Sequence, residues 1–564
     1  MLSLRSTSLT NVCSHIFCTF LYLSFCVICP SFFHLPLVSF TASRKKRQEK
    51  TSQVRKDARD QMLARARRAD PVADAAAGVA TVAGAVDLAT LIPRIPELIQ
   101  NLYSDDPAVV LEAALRVRDM MAVDKNPPTD LLIASNAVPA LMHALTHGEV
   151  NVQFEAAWSL TNIASGKPEH TRAVVEGGAI PTLVALLSSE AVTVREQVVW
   201  ALGNIAGDNA AYRDTILSYG AMDIMLGICH TKGKIGMLRN ATWSLSNLCR
   251  GAPAPDFALV ARALPTLNCM VSFYDEDVIA DACWALTYLS DSNALGNEER
   301  AQHQIQCIIE AGVVPKVIEH LGHKSVYVIT PALRVVGNLA TGSDVQTDIL
   351  LQHDLLPALL NLMQNPRRGV RKEACWTVSN ITAGPPGQID EVMRANIFPT
   401  LIEFLRCKDF DVRKEATWAV TNAIASQHET VIRYLVEYSV IPSLAELLDP
   451  ESPEPRVLNA ILESLKLILA LGAADAEQQR AVGHATAQNV YAELLERSGH
   501  VDTVAALQSH ADPSVADHAY TIIRMHYHDD DGAIGDELAP QVADNGTFQF
   551  EASPDHVPNS DFHF

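Results

Sequence analysis

The feature that most constrains this chain is the recurrence of Trp-x-x-x-Asn at one long interval. The pair stands at Trp158/Asn162, Trp200/Asn204, Trp243/Asn247, Trp376/Asn380 and Trp418/Asn422, four residues apart and therefore on one helix face. With Trp284 included, the steps between tryptophans are 42, 43, 41, 92 and 42, the long one being about two periods. A period in the forties requires stacked helical repeats that bury their apolar faces only against neighbours. Prolines at Pro139, Pro181, Pro265, Pro315, Pro357, Pro399 and Pro442 stand mostly 42 residues, or its double, apart. One unit reads as Gly177-Gly178 ending a helix and Pro181 in the first turn of the next. A short helix from Thr182 to Leu187, a turn at Ser188-Ser189 and a longer helix from Thr193 to Ala206 complete it, the last carrying the pair.

All six tryptophans belong to this ladder, although aromatic residues are only 6% of the chain. Cys229, Cys249, Cys269, Cys283, Cys307, Cys375 and Cys407 are scattered singly through apolar helical text. Without a Cys-x-x-Cys pair they read as buried hydrophobes in a reducing compartment, not as disulfides or metal ligands. Charge is segregated. Arg44 to Arg68 holds eleven basic residues against Glu49, Asp57 and Asp60, a net +8, and Arg5 is the one charge before it. The rest must carry −30 for the total to be −21. An acidic body of that kind repels phosphate backbones, so no direct nucleic-acid binding is expected.

Residues 1–43 are apolar, rich in aromatics and uncharged apart from Arg5. Ile16 to Phe40 is long enough to span a bilayer, with Arg44-Lys45-Lys46-Arg47 then on the cytosolic side. A cleaved signal would deliver a disulfide-free body to an oxidising compartment. We read the segment as mistranslated upstream sequence and expect no membrane association, because nothing downstream needs a membrane. Residues 44–70 form a basic arm, 71–90 an Ala/Gly/Val-rich linker, 91–527 the repeats with a divergent last one from Arg497, and 528–564 an acidic, apolar-poor tail expected to be disordered.

The chemistry of the ladder follows from its two residue types. Asparagine is poor in a helix interior and costly in a core, so five in one phase predict an exposed face. Parallel indoles on neighbouring helices about 10 Å apart leave slots for the stems and cations of Lys or Arg. The Asn amide, donor and acceptor together, suits the backbone of an extended peptide. Asp208, four residues after Asn204, adds a carboxylate; Glu373 and Glu415 each stand three before their tryptophan. On position alone, an exposed helix-end carboxylate is the better reading of Asp208.

Three helices per unit resemble an armadillo repeat, and the Trp-x-x-x-Asn on the third resembles importin α (karyopherin α). The departures fit that family too: Leu115/Asp119 in the first repeat, Trp284/Tyr288 in the fifth, Arg334/Asn338 in the sixth and Leu462/Lys466 in the ninth. The step of 50 from Trp284 to Arg334 places extra loop residues in Ser290 to Gln304. Arg497 to Tyr527, with Ala505-Ala506-Leu507-Gln508, resembles the family's last repeat. The resemblance implies an all-α, right-handed superhelical solenoid of about ten armadillo repeats.

It also implies a function, a nuclear import adapter that takes lysine- and arginine-rich localisation signals and shuttles between cytoplasm and nucleus. The major signal site would comprise Trp158, Asn162, Gly166, Thr171, Gln197, Trp200, Asn204, Asp208, Asn240, Trp243 and Asn247, with Asp208, the Gly166 carbonyl and the Thr171 hydroxyl holding one lysine. The minor site would comprise Trp284, Tyr288, Arg334, Asn338, Asp344, Glu373, Trp376, Asn380, Glu415, Trp418 and Asn422, with Asp281 and Asp291 between the blocks. The arm, with Arg44, Lys45, Lys46, Arg47, Arg55, Lys56, Arg67 and Arg68, resembles an importin-β-binding domain and would compete for the groove. An export receptor would meet the C-terminal repeat. No cofactor or metal is expected.

Two other classes compete with this reading. An armadillo scaffold of the β-catenin or plakophilin kind takes acidic partners in a basic groove, which the Trp/Asn/acid set opposes. An enzyme would need a phosphate loop, an activated nucleophile or metal-ligand spacing, and the chain shows none of these motifs.

Overall fold

The computed structural model describes residues 87–123, 126–231, 233–291, 298–452 and 454–527, with 541–542 and 548–549. The N-terminal apolar segment and the basic arm therefore lie outside the described residues. The chain is an all-α solenoid of armadillo repeats that divides after Val313 into two compact units.

In the first unit the ladder helices are Pro107–Met121, Val150–Ala164, Val192–Asp208, Ile235–Leu248 and Glu276–Leu289, each packed on the next. In the second they are Val326–Leu339, Arg368–Ile381, Phe410–Ala425, Pro455–Ala481 and Pro513–His526, again each on the next. The cause is local. Pro168–Glu176 ends at Gly177, and Gly178 takes φ +81° to reverse the chain into Ala179–Leu186. Gly220, Asn136 and Ser439 hold the same left-handed turn at the matching positions, which non-glycine residues tolerate at some cost. Asp106, Asp275 and Asp512 cap ladder helices by accepting from free backbone N–H groups. Leu183, Val198, Leu202 and Ile205 are wholly buried between helices, each such side chain contributing about 1.5–3 kcal/mol of burial.

Several expectations shift. The unit helices run Ala179–Leu186 and Val192–Asp208, longer than Thr182–Leu187 and Thr193–Ala206, because Asp208 continues the last turn. Helix Leu88–Leu91, capped by the Asp87 carboxylate, begins inside the expected linker 71–90. The extra residues before the sixth repeat are not all loop, since Glu298–Glu310 is helical with its own buried stripe of Ala301, Ile305 and Ile308. The last repeat starts at Val490–Arg497, earlier than expected. Of the seven cysteines, Cys229, Cys249, Cys283 and Cys375 are buried, but Cys269 is exposed and Cys307 and Cys407 are half-buried. Within the C-terminal tail Gln541–Val542 pairs antiparallel with Phe548–Gln549.

Helix Pro455–Ala481 is long and apolar enough to cross a membrane. Here it is a core helix, with Leu458, Ile461, Leu462, Leu465, Ile468 and Leu469 buried where it packs on Phe410–Ala425 and Pro513–His526.

Candidate functional site

The ladder forms as the period requires, but its asparagines do something the sequence did not announce. Asn204 Nδ2 donates to the Thr161 carbonyl at 3.2 Å, and Asn247 Nδ2 to the Gly203 carbonyl at 3.1 Å. In the second unit Asn380 Nδ2 donates to the Gly337 carbonyl and Asn422 Nδ2 to the Ser379 carbonyl, both at 2.9 Å. Every acceptor is the residue just before the preceding repeat's ladder asparagine. The expectation of an exposed asparagine face is thereby corrected. Asn162, Asn204 and Asn247 are buried, and Asn380 and Asn422 half-buried. The amide is tolerated because a carbonyl one repeat away satisfies it.

The indoles are similarly close. Trp158, Trp200 and Trp243 are each 8% exposed, and Trp200 packs directly on Trp243, so the expected open slots are shallow here. Trp376 is buried deeper and Trp418 less. Asn204 Oδ1, Asn162 Nδ2 and Gln197 Oε1 remain as buried polar atoms without a hydrogen-bond partner among the described residues. Each could serve a peptide main chain.

Two of the protein's own arginines lie on ladder tryptophans. The Arg118 guanidinium sits 4.8 Å above the Trp158 ring, with its Nε 3.3 Å from Glu155 Oε2. The Arg334 guanidinium sits 5.9 Å from the Trp376 ring centre, with its Nε 2.9 Å from Glu373 Oε2. In both cases the carboxylate stands three residues before the tryptophan, so indole and acid grip one cation. Sequence reading found Glu373 but missed Arg118 and Glu155; the shared offset of minus three was the available signal. Glu373 also meets Lys372 at 2.6 Å, so this carboxylate is already engaged rather than open.

The remaining expected residues are placed as follows. Asp208 closes its helix, half-buried, and its Oδ2 accepts from Asn209 Nδ2 at 3.0 Å. Gly166 is exposed, whereas Thr171 is buried and its hydroxyl donates to the Ala164 carbonyl at 3.1 Å. Asn240 is half-buried; Glu415 and Asp281 are buried. Asp344 is exposed in the first turn of Asp344–Leu351. Trp284 and Tyr288 stack at 6.2 Å in the first unit, while Arg334 to Asn422 belong to the second. Among the described residues no His/Cys/Asp/Glu cluster could hold a metal.

Comparison with known proteins bears on what such a ladder serves. The profile described as "Armadillo/beta-catenin-like repeat" matches 125–165, 167–207, 301–341, 343–383 and 385–425. That described as "Importin beta binding domain" matches 38–115, enclosing the basic arm and running into the first ladder helix. The chain is 39% identical to importin subunit alpha-3 of Arabidopsis thaliana over 525 residues, 92% of this chain and 95% of that one. It is 40% identical to importin subunit alpha-1b of Oryza sativa subsp. japonica over 474 residues, 83% and 85% of the two chains. A crystal structure of an engineered protein superposes with a TM-score of 0.66 at 24% identity, covering 76% of this chain and 98% of that one, and so shares the fold.

Proposed function

This chain belongs to the importin α family, and from that premise we propose that it is a nuclear import adapter whose tryptophan ladder takes lysine- and arginine-rich localisation signals. The basic arm 44–70 binds importin β and, when importin β is absent, occupies the same ladder. Cargo binding, carriage and release then make it a protein that shuttles between cytoplasm and nucleus, with an export receptor at the C-terminal repeat.

The observation that carries this is Arg334 lying over Trp376 with Glu373 at 2.9 Å. A long cationic side chain stretched along an indole and met by a carboxylate is what a lysine-rich peptide would repeat rung by rung. Support also comes from the buried amide atoms of Asn162, Asn204 and Gln197 that lack partners among the described residues, since an extended peptide supplies main-chain donors and acceptors at matching spacing. Two moderately weak blocks joined by one bipartite signal gain affinity through effective concentration. A β-catenin-like scaffold taking acidic partners is the rival, and the net charge of −30 carried outside the basic arm and Arg5 opposes it.

The test is a fluorescence titration with a single-cluster lysine-rich peptide. Asp208→Lys should abolish binding while leaving the thermal transition nearly unmoved. Unchanged affinity would overturn the assignment of the first block, and preferential binding of an acidic peptide would favour the scaffold.

A further inference from the structure

Two glycines stand where the ladder is tightest. Gly203 and Gly337 each precede a ladder asparagine, and each lies beneath the next repeat's indole. A Cβ built on Gly203 would sit 2.4 Å from the Trp243 ring carbon Cζ3 and 2.4 Å from Ser244 Oγ. One built on Gly337 would sit 2.2 Å from the Trp376 Cζ3 and 2.8 Å from its Cε3. Neither glycine has a positive φ. Their side-chain absence therefore answers a need for space, not for backbone freedom. The carbonyl of each is the acceptor for the asparagine four residues past that same tryptophan. One glycine thus fixes both functional groups of the following rung, its bare Cα setting how deep the ring lies and its carbonyl setting where the amide points.

The same position holds Thr161, Ser246 and Ser379 before the other rungs. Exposure does not track this residue in the first unit, where Trp200 after Thr161 and Trp243 after Gly203 are both 8% exposed, and the contrast is confined to the second. Trp376, above Gly337, is 3% exposed, while Trp418, whose partner asparagine bonds to Ser379, is only half-buried.

We propose that the residue before a ladder asparagine is a positioning residue for the next repeat's indole, the bare Cα atoms of Gly203 and Gly337 letting the Trp243 and Trp376 rings approach closer than any side chain allows. This rests on the ladder being the peptide site, and it assigns the tuning of that site to a residue the peptide need not touch. A methyl group at 203 cannot be accommodated by side-chain flexing alone, since the opposing atoms are those of the packed Trp243 ring and the Ser244 hydroxyl, itself held by the Val199 carbonyl. Trp243 must tilt outward or the two helices must separate. Either movement changes the face offered to a lysine stem and strains the Asn247 bond.

The full chain labelled with 5-fluorotryptophan gives a fluorine resonance for each of its six tryptophans. Gly203→Ala should move the Trp243 resonance, leave Trp376 and Trp418 in place, and weaken a single-cluster lysine-rich peptide by about tenfold. Gly337→Ala should do the converse. Ser379→Gly removes atoms only, so it should fold, and it should shift the Trp418 resonance toward a more buried environment. Unmoved Trp243 and Trp418 resonances in these variants would overturn the proposal, as would unchanged peptide affinity beside a shifted Trp243. If the resonances move as stated but the wild-type chain binds no basic peptide, the seating of the indoles stands and the functional reading falls.

Discussion

Asn204 donates from Nδ2 to the carbonyl of Thr161 at 3.2 Å, joining two residues 43 positions apart. The bond is wholly buried, and it makes the ladder asparagine a fastener between repeats as well as a contact for ligand. Asn204→Ala would take one of two donors from the Thr161 carbonyl, which keeps the Ser165 N–H at 3.0 Å, and should cost about 0.5–1.5 kcal/mol. Asn380→Ala, at a half-buried site, should cost less because water can reach the Gly337 carbonyl. Thermal and denaturant unfolding of the two variants side by side checks the order.

The basic arm acts as a tethered competitor if it enters the ladder. Deleting residues 1–70 should tighten a lysine-rich peptide by about tenfold or more without importin β, given effective concentrations of about a millimolar for a short tether. Equal affinity with and without the arm in the same titration would remove autoinhibition.

Asp275 caps Glu276–Leu289 and accepts from Arg239 Nε at 3.0 Å and Nη2 at 2.6 Å. The Arg239 hydrogen bonds hold its carboxyl below the ordinary aspartate range, aided by the cap N–H groups and opposed by partial burial. A depressed pKa stabilises the fold above the unfolded value of about 3.9 and loses that contribution as pH falls through the folded value. Melting temperature should therefore drop on acidification below about pH 4 with a steeper slope in wild type than in Arg239→Gln.

Burial pushes the thiols of Cys229, Cys249 and Cys283 up to about 12, and that of Cys375 higher still. In protein lacking residues 1–70, Cys269 should react first with a thiol reagent while these four stay silent until unfolding. Mass spectrometry of labelled peptides after a short exposure reads the order.

The period of tryptophan and proline was enough to place the repeats, because each marks a fixed point in a unit that must be copied to be stable. Asn204 shows where such reading stops. Its residue type argues for solvent, and only the superposition of one repeat on the next reveals the Thr161 carbonyl that satisfies it. Arg118 and Glu155 escaped for the same reason, their partnership spanning repeats. Arg334 was legible as a departure from tryptophan, but its place on Trp376 was not, since that depends on helix-to-helix geometry. The helix at Glu298–Glu310 was hidden by a weak pattern in polar text.

The asparagine fasteners all run one way, each reaching from a later repeat to an earlier one. The solenoid is therefore vectorial. Severed after a given repeat, the earlier fragment ends in a helix carbonyl, such as that of Thr161, which keeps the Ser165 N–H and meets water at little cost. Severed before it, the later fragment begins with an amide shaped for a neighbour that no longer exists, beside an indole with nothing beneath it. The two directions of truncation are thus unequal, and shortening from the C-terminal end is the gentler.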